Sequence, residues 1–302
     1  MKRRSFLKSA AGVAAGAALA SLPASRLCAV GSPRPLPGRT KIALNAFSFN
    51  EPLTAGEMTM DDMLEYAAET GFEGVDLTGY YFPSYPAVPT DDYIYHVKRK
   101  AFDLGIEICG TGVRNDFTSA DPAARETAKK HIKEWVHVAS KLGGQTLRIF
   151  AGNSRPEGEA RRETLERMVE DIRECADYAG QYGVVLALQN HDDFLKTADE
   201  VEEILQAVNH EQVGLMLDIG SYRTVGDPFA EIKQTVKYAV TWQVKEEMTV
   251  DGKIVKTDLD KLKAIIDESG FRGYLPIETL GAGDPKQKIA YMFQEVKKRF
   301  GR

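Results

Sequence analysis

Apolar residues along this chain come in short unbroken runs, separated by amphipathic segments at a recurring interval. The run 184–188 is five apolar residues in succession, and it ends abruptly in Gln189-Asn190-His191-Asp192-Asp193. A run of that length without alternation suits a parallel strand covered on both faces. The pattern recurs downstream, where 213–217 ends in Asp218, 238–242 runs into Gln243, and 274–277 ends in Glu278. Strand ends are predicted near Phe47, Leu77, Gly110, Phe150, Gln189, Asp218, Val244 and Glu278, at intervals of 26–40 residues. Eight strands so spaced read as βα units.

The intervening segments carry helix signals. Asp121-Pro122, Asp227-Pro228 and Asp284-Pro285 each set an N-cap carboxylate before an N1 proline. Thr197 and Glu200 have the spacing of a capping box. Leu165, Met168, Val169, Ile172, Cys175, Ala176 and Ala179 form one inward stripe at helical spacing. Gly71, Gly143, Gly183 and Gly270 stand where C′ glycines stop helices. The pattern predicts a single-domain α/β fold, a (β/α)8 TIM barrel over residues 40–302, close to the roughly 250 residues usual for that fold.

Residues 1–29 do not fit the barrel rhythm. Lys2-Arg3-Arg4-Ser5-Phe6-Leu7-Lys8 precedes an apolar run of thirteen residues, 10–22. That run is shorter than the roughly 20 residues needed to span a bilayer and suits a signal-peptide core. The paired arginines followed by Phe-Leu-Lys resemble the twin-arginine export signal. Ala18-Leu19-Ala20 and Leu27-Cys28-Ala29 both offer cleavage sites, and an uncleaved anchor is the competing reading. Periplasmic localisation is the expectation, with no stable membrane insertion after cleavage. Residues 30–39, with prolines at 33, 35 and 37, read as an extended linker.

Without residues 1–29 the chain keeps 34 basic residues against 44 acidic ones, a formal charge of −10. A surface that acidic argues against nucleic acid or anionic membrane as partner. Of the two cysteines that remain, Cys109 falls in a predicted strand and Cys175 on a predicted helix. Two cannot form a disulfide framework in a chain this large, and buried free thiols are expected.

The carboxyl ends of barrel strands are where this fold places chemistry. Gln189, Asp218, Gln243 and Glu278 together offer two carboxylates and two amide oxygens. That hard-oxygen set carries two negative charges and suits one divalent cation: Mn²⁺, Mg²⁺ or Co²⁺, with Zn²⁺ admissible. The same four residues also serve as polar strand closures. His191 is a candidate catalytic or substrate-binding group, or simply a partner of a nearby carboxylate. Arg114 and Asn115 in the loop after strand three, and Arg148 near the end of strand four, offer rigid planar donors for polyol oxygens. Arg148 could equally be half of an ion pair within the barrel. Tyr80 and Tyr81 lie in an aromatic loop, 80–86, that suits stacking on sugar rings, closing as a lid, or meeting a second subunit of a homo-oligomer.

The segments VVLALQNHDDF, GLMLDIGSYR, TWQVKEE and YLPIETLG, supported by GFEGVDLTGYYFP, GTGVRNDF and LGGQTLRIFAG, carry a family resemblance. Over about residues 41–300 the chain resembles the xylose isomerase-like TIM barrels, the sugar phosphate isomerase/epimerase superfamily. The resemblance implies a divalent metal held by a Glu after strand five, an Asp after strand six, a His in strand seven and a Glu after strand eight. Asp218 and Glu278 match; Gln189 replaces the first Glu and Gln243 the His; Lys245 matches a lysine common just after strand seven. The paired Glu residues act as opposed bases in such isomerases, and Gln189 cannot accept a proton at ordinary pH. The resemblance therefore implies a metal-dependent sugar isomerase or epimerase working through an enediolate, with Glu278 as base and His191 or Lys245 as second base. The competing readings are a lyase or dehydratase on a keto-sugar or keto-glycoside, and a non-catalytic sugar-binding barrel.

Overall fold

The computed structural model describes residues 39–153, 155–191, 193–223 and 226–301. The expected signal segment, most of the linker and Asp192 lie outside the described residues. The linker boundary moves by one residue, because Arg39 already belongs to the first strand.

In chain order the elements are β1 (Arg39–Asn45), α1 (Asn50–Ala55), α2 (Met60–Thr70), β2 (Gly74–Thr78), α3 (Asp91–Asp103), β3 (Glu107–Gly112), α4 (Pro122–Leu142), β4 (Thr146–Phe150), α5 (Arg161–Gly180) and β5 (Val185–Gln189). Then follow α6 (Ala198–Val208), β6 (Val213–Asp218), α7 (Pro228–Thr235), β7 (Ala239–Lys245), a hairpin of β8 (Glu247–Val250) and β9 (Lys253–Lys256), α8 (Leu259–Ser269), β10 (Arg272–Glu278) and α9 (Pro285–Phe300). Eight of the strands close into a parallel barrel in the order β1-β10-β7-β6-β5-β4-β3-β2. The TIM barrel expected from the apolar runs is the fold observed.

Local chemistry accounts for the element ends. Asp121, Asp227 and Asp284 each accept a backbone N–H two residues on, with proline at the first helical position. Thr197 and Glu200 form the expected capping box, and Thr59 with Asp62 forms another. Gly71, Gly143 and Gly270 are left-handed helix caps. Gly183 differs: α5 already ends at Gly180, and Gly183 turns the chain into β5. The stripe from Leu165 to Ala179 is buried, as are both free cysteines.

Two features of the mouth were not anticipated. The β8–β9 hairpin rises directly from the end of β7 and turns at Asp251-Gly252, both at positive φ (49° and 73°). Asp-Gly is the residue pair that such tight hairpin turns favour. The aromatic loop after β2, in turn, is anchored rather than free. Phe82 is buried, and Phe82 and Tyr85 pack edge-on against the fully buried Trp135 of α4.

Candidate active site

The carboxyl ends of β5, β6, β7 and β10 bring Gln189, Asp218, Gln243, Lys245 and Glu278 into one buried cluster. Gln189 Nε2 donates to Asp218 Oδ2 at 2.9 Å and to Gln243 Oε1 at 2.7 Å. Lys245 Nζ lies 2.6 Å from Glu278 Oε1 and 3.2 Å from Asp218 Oδ2. Asp218 Oδ1 accepts from the Gly220 N–H at 2.9 Å, so donors reach both of its oxygens. Asn190, fully buried, braces this residue: its amide donates to the Asp218 carbonyl and accepts from the Asp218 N–H. Lys245 reaches the two carboxylates because Gly220 makes room; a Cβ there would stand 2.6 Å from Lys245 Cδ.

Burial alone would lower the Lys245 ammonium, but Asp218 and Glu278 outweigh it and hold the group above the ordinary lysine range. An ammonium held this way keeps its protons and donates hydrogen bonds. Lys245, expected as a candidate second base, stands as an ammonium between two carboxylates.

The four expected cation ligands converge, but their hydrogen bonding does not suit a divalent ion. Gln189 turns its amide nitrogen toward Asp218 and Gln243, an orientation fixed by its partners, since its oxygen would otherwise face two acceptors. Its Oε1 is buried without a partner. A cation on Asp218 Oδ2 and Glu278 Oε1 would come within about 5 Å of Lys245 Nζ. No group of three or more His, Cys, Asp or Glu side chains suited to a metal occurs among the described residues. The donor set as arranged does not fit a divalent cation, and no step below runs through one.

Above the cluster the mouth opens as a cavity of about 110 Å³, lined by Tyr80, Arg114, Arg148, His191 and Glu278 among others. Two guanidinium groups, Arg114 and Arg148, each lie 5.3 Å from the centroid of the Tyr80 ring. Arg148 Nη1 donates to Tyr80 Oη at 2.7 Å and to the Val113 carbonyl at 3.1 Å. Gly112 permits this, as a Cβ there would stand 2.6 Å from Arg148 Nε. His191 is half exposed, with Nδ1 3.7 Å from Asp193 Oδ2 and its ring edge-on to Phe150.

Two expected binding residues have other partners. Asn115 exchanges both of its amide hydrogen bonds, 2.8 Å each, with the Phe150 backbone and braces the end of β4. Tyr81 donates to Asn50 Oδ1 at 2.9 Å. Sequence reasoning also missed Asp76, a buried carboxylate on β2 that accepts from Asn45 Nδ2 at 3.2 Å. Burial pushes its carboxyl up to about 6; Arg148 opposes the shift, Glu278 adds to it, and the Asn45 hydrogen bond opposes it. Next to the mouth lies a larger cavity of about 280 Å³, roofed by the β8–β9 hairpin through Met248, Thr249 and Ile254. The two cavities share Arg223, Lys245, Glu278 and Leu280.

Comparisons with known proteins agree with this architecture. The chain is similar to the rhizopine catabolism protein MocC of Rhizobium meliloti, 23% identical over 279 residues, covering 82% of this chain and 83% of that protein. Among solved structures it is similar to D-psicose 3-epimerase from Clostridium cellulolyticum H10, with a TM-score of 0.72, 16% identity, and coverage of 87% of this chain and all of that one. It is also similar to an IOLI protein with a bound zinc atom, with a TM-score of 0.68, 19% identity, and coverage of 87% and 100%. Similarity at these identities is one of fold. The xylose isomerase-like TIM barrel family matches residues 64–297, most of the barrel, and the chain belongs to that family.

Proposed function

We propose that the protein is an enzyme that removes a proton beside the carbonyl of a sugar derivative, in the isomerase/epimerase class. The observation that carries this reading is the pairing of Glu278, a buried carboxylate on the wall of the mouth, with the Lys245 ammonium 2.6 Å away. Glu278 takes the proton from carbon, the C–H electron pair forms the C=C bond of an enediolate, and the carbonyl electrons move onto oxygen. Lys245 and the Arg148 guanidinium supply positive charge and donors for that oxygen. Returning the proton to the neighbouring carbon, while the hydroxyl proton on the first carbon passes to the enediolate oxygen, gives an isomer. Returning one to the opposite face of the same carbon gives an epimer and requires a second acid, for which His191 is the available group. Tyr80, Arg114 and Arg148 suit the recognition of sugar hydroxyls.

One observation favours a second reading, a lyase. On the β5 side, Gln189 offers an amide where a second carboxylate base would be needed, and elimination needs only the first proton transfer. The connected cavity under the hairpin supports a substrate larger than one sugar ring, such as a keto-glycoside, in either case. A non-catalytic sugar-binding barrel would turn over none of them. The deciding experiment follows ¹H NMR spectra in D₂O with free, oxidised and glycosidic sugars. Deuterium in an isomer or inverted epimer supports the first reading. An unsaturated or cleaved product moves the assignment to lyase, and binding without exchange refutes catalysis. From residues 1–29 we further propose export to the periplasm by the twin-arginine route.

A further inference from the structure

We propose that the Lys245 ammonium is the resident cation of this site, and that the folded protein does not take up a divalent metal there. Three observations carry this. First, Nζ lies between the two carboxylates of the cluster, 2.6 Å from Glu278 and 3.2 Å from Asp218, both buried. Second, both Asp218 oxygens and the Gln243 oxygen already have N–H partners, while Gln189 Oε1 is buried without one. Asp218 Oδ1 is taken by the Gly220 N–H, and its Oδ2 by both Lys245 and Gln189. Gln243 Oε1 is taken by the same Gln189 amide. A metal ligand needs lone pairs turned to the ion, and at Asp218 and Gln243 those lone pairs meet N–H groups.

Third, the backbone is shaped around the lysine. Gly220 clears space for its stem, and Thr257 Oγ1 donates to its carbonyl at 2.7 Å. The two positions where the resemblance calls for Glu and His hold carboxamides, so the four ligands carry charge −2 and one fixed ammonium answers half of it. A soft or borderline ion would also need the thiolate or imidazole ligands that the cluster does not contain. The ammonium would then do what a Lewis acid does elsewhere: stabilise an oxyanion, here by donating a hydrogen bond. The proposal concerns cation binding alone and is read without turnover, so it stands or falls separately from the sugar-enzyme reading.

The test uses the purified full chain, first stripped with EDTA and then incubated with Mn²⁺, Zn²⁺, Co²⁺ or Mg²⁺ at 1 mM. Metal content after desalting and the shift in Tm are measured for wild type, Lys245→Met and Asp218→Asn. A site ion at 100 times its Kd would raise Tm by about 5 °C in a barrel of this size. For wild type we expect less than about one-tenth of an ion per chain and a shift below about 1 °C, with either. For Lys245→Met we expect Mn²⁺ uptake, because two buried carboxylates then lack a counter-charge. Near-stoichiometric metal in wild type that disappears in Asp218→Asn would overturn the proposal, and this wild-type arm decides the matter even if Lys245→Met does not fold. A Lys245→Met protein that folds and takes up no ion would overturn the claim that the ammonium is what answers the carboxylates.

Discussion

Asp76 offers a quantitative check on the electrostatics beneath the mouth. Its carboxyl is 4% exposed and titrates near 6, raised from an ordinary 3.8 chiefly by burial. The folded state therefore holds this proton more tightly than the unfolded chain does. Between about pH 4 and pH 6 the folded protein binds more protons than the unfolded one, so stability falls as pH rises through that window. The favourable contribution is complete below about pH 4 and gone above about pH 6. A gap of about two units, at 1.36 kcal/mol each, makes it about 3 kcal/mol. Asp76→Asn removes the titration and keeps an oxygen to accept the Asn45 hydrogen bond. Relative to wild type, the variant should gain about 3 kcal/mol between pH 4 and pH 7, or about 6 °C in Tm at roughly 2 °C per kcal/mol. Thermal melts of both proteins at pH 4, 5, 6, 7 and 8 measure the difference directly. A difference that stays constant with pH, or that opens in favour of wild type, would refute the reasoning.

Three further outcomes are expected. Glu278→Gln should leave the far-ultraviolet spectrum unchanged and cut turnover of whatever substrate the NMR screen identifies by roughly 10²–10⁴-fold; a variant within tenfold of wild type removes Glu278 as the base. Gly152→Ala should lose roughly 1–3 kcal/mol in urea denaturation, because φ is +141° and the new Cβ would stand 2.1 Å from Asp116 Oδ1; unchanged stability would show that the loop yields. Arg3→Lys with Arg4→Lys should hold the folded protein in the cytoplasm, and normal appearance in the periplasmic fraction would point to another export route.

The barrel was legible because its signals are local. Each apolar run needs cover on both faces, each Asp-Pro pair starts a helix, and glycines such as Gly143 end one; together they count out eight βα units without long-range information. The hairpin after β7 was also written in the sequence, as Asp251-Gly252 between Met248-Thr249-Val250 and Ile254-Val255. Its β9 strand is fully exposed and carries no long apolar run, so the strand pattern does not signal it. Gly183 misled for a related reason: a glycine three residues past a helix and one at its cap look alike until the backbone is traced.

The site divides along the same line. That Gln189, Asp218, Gln243 and Glu278 would share a rim follows from strand register, which the sequence carries. What those groups do to one another does not, because pairing depends on which proton donor reaches them. Lys245 stands two residues past Gln243 on β7 and therefore points the same way, inward, a consequence of the strand's period of two. Glycine at 220 opens the space that lets its stem turn toward both carboxylates. The family resemblance made Lys245 a candidate base; its place between two acids makes it a positive charge held there. The same distinction separates Asn115 from Arg148. Both are planar donors at the mouth, but the amide has its hydrogen bonds taken by the Phe150 backbone, while the guanidinium lines the cavity beside Tyr80. Chemistry at this rim is set by which hydrogen-bonding capacity the fold leaves unused, and that quantity exists only once the strands have closed.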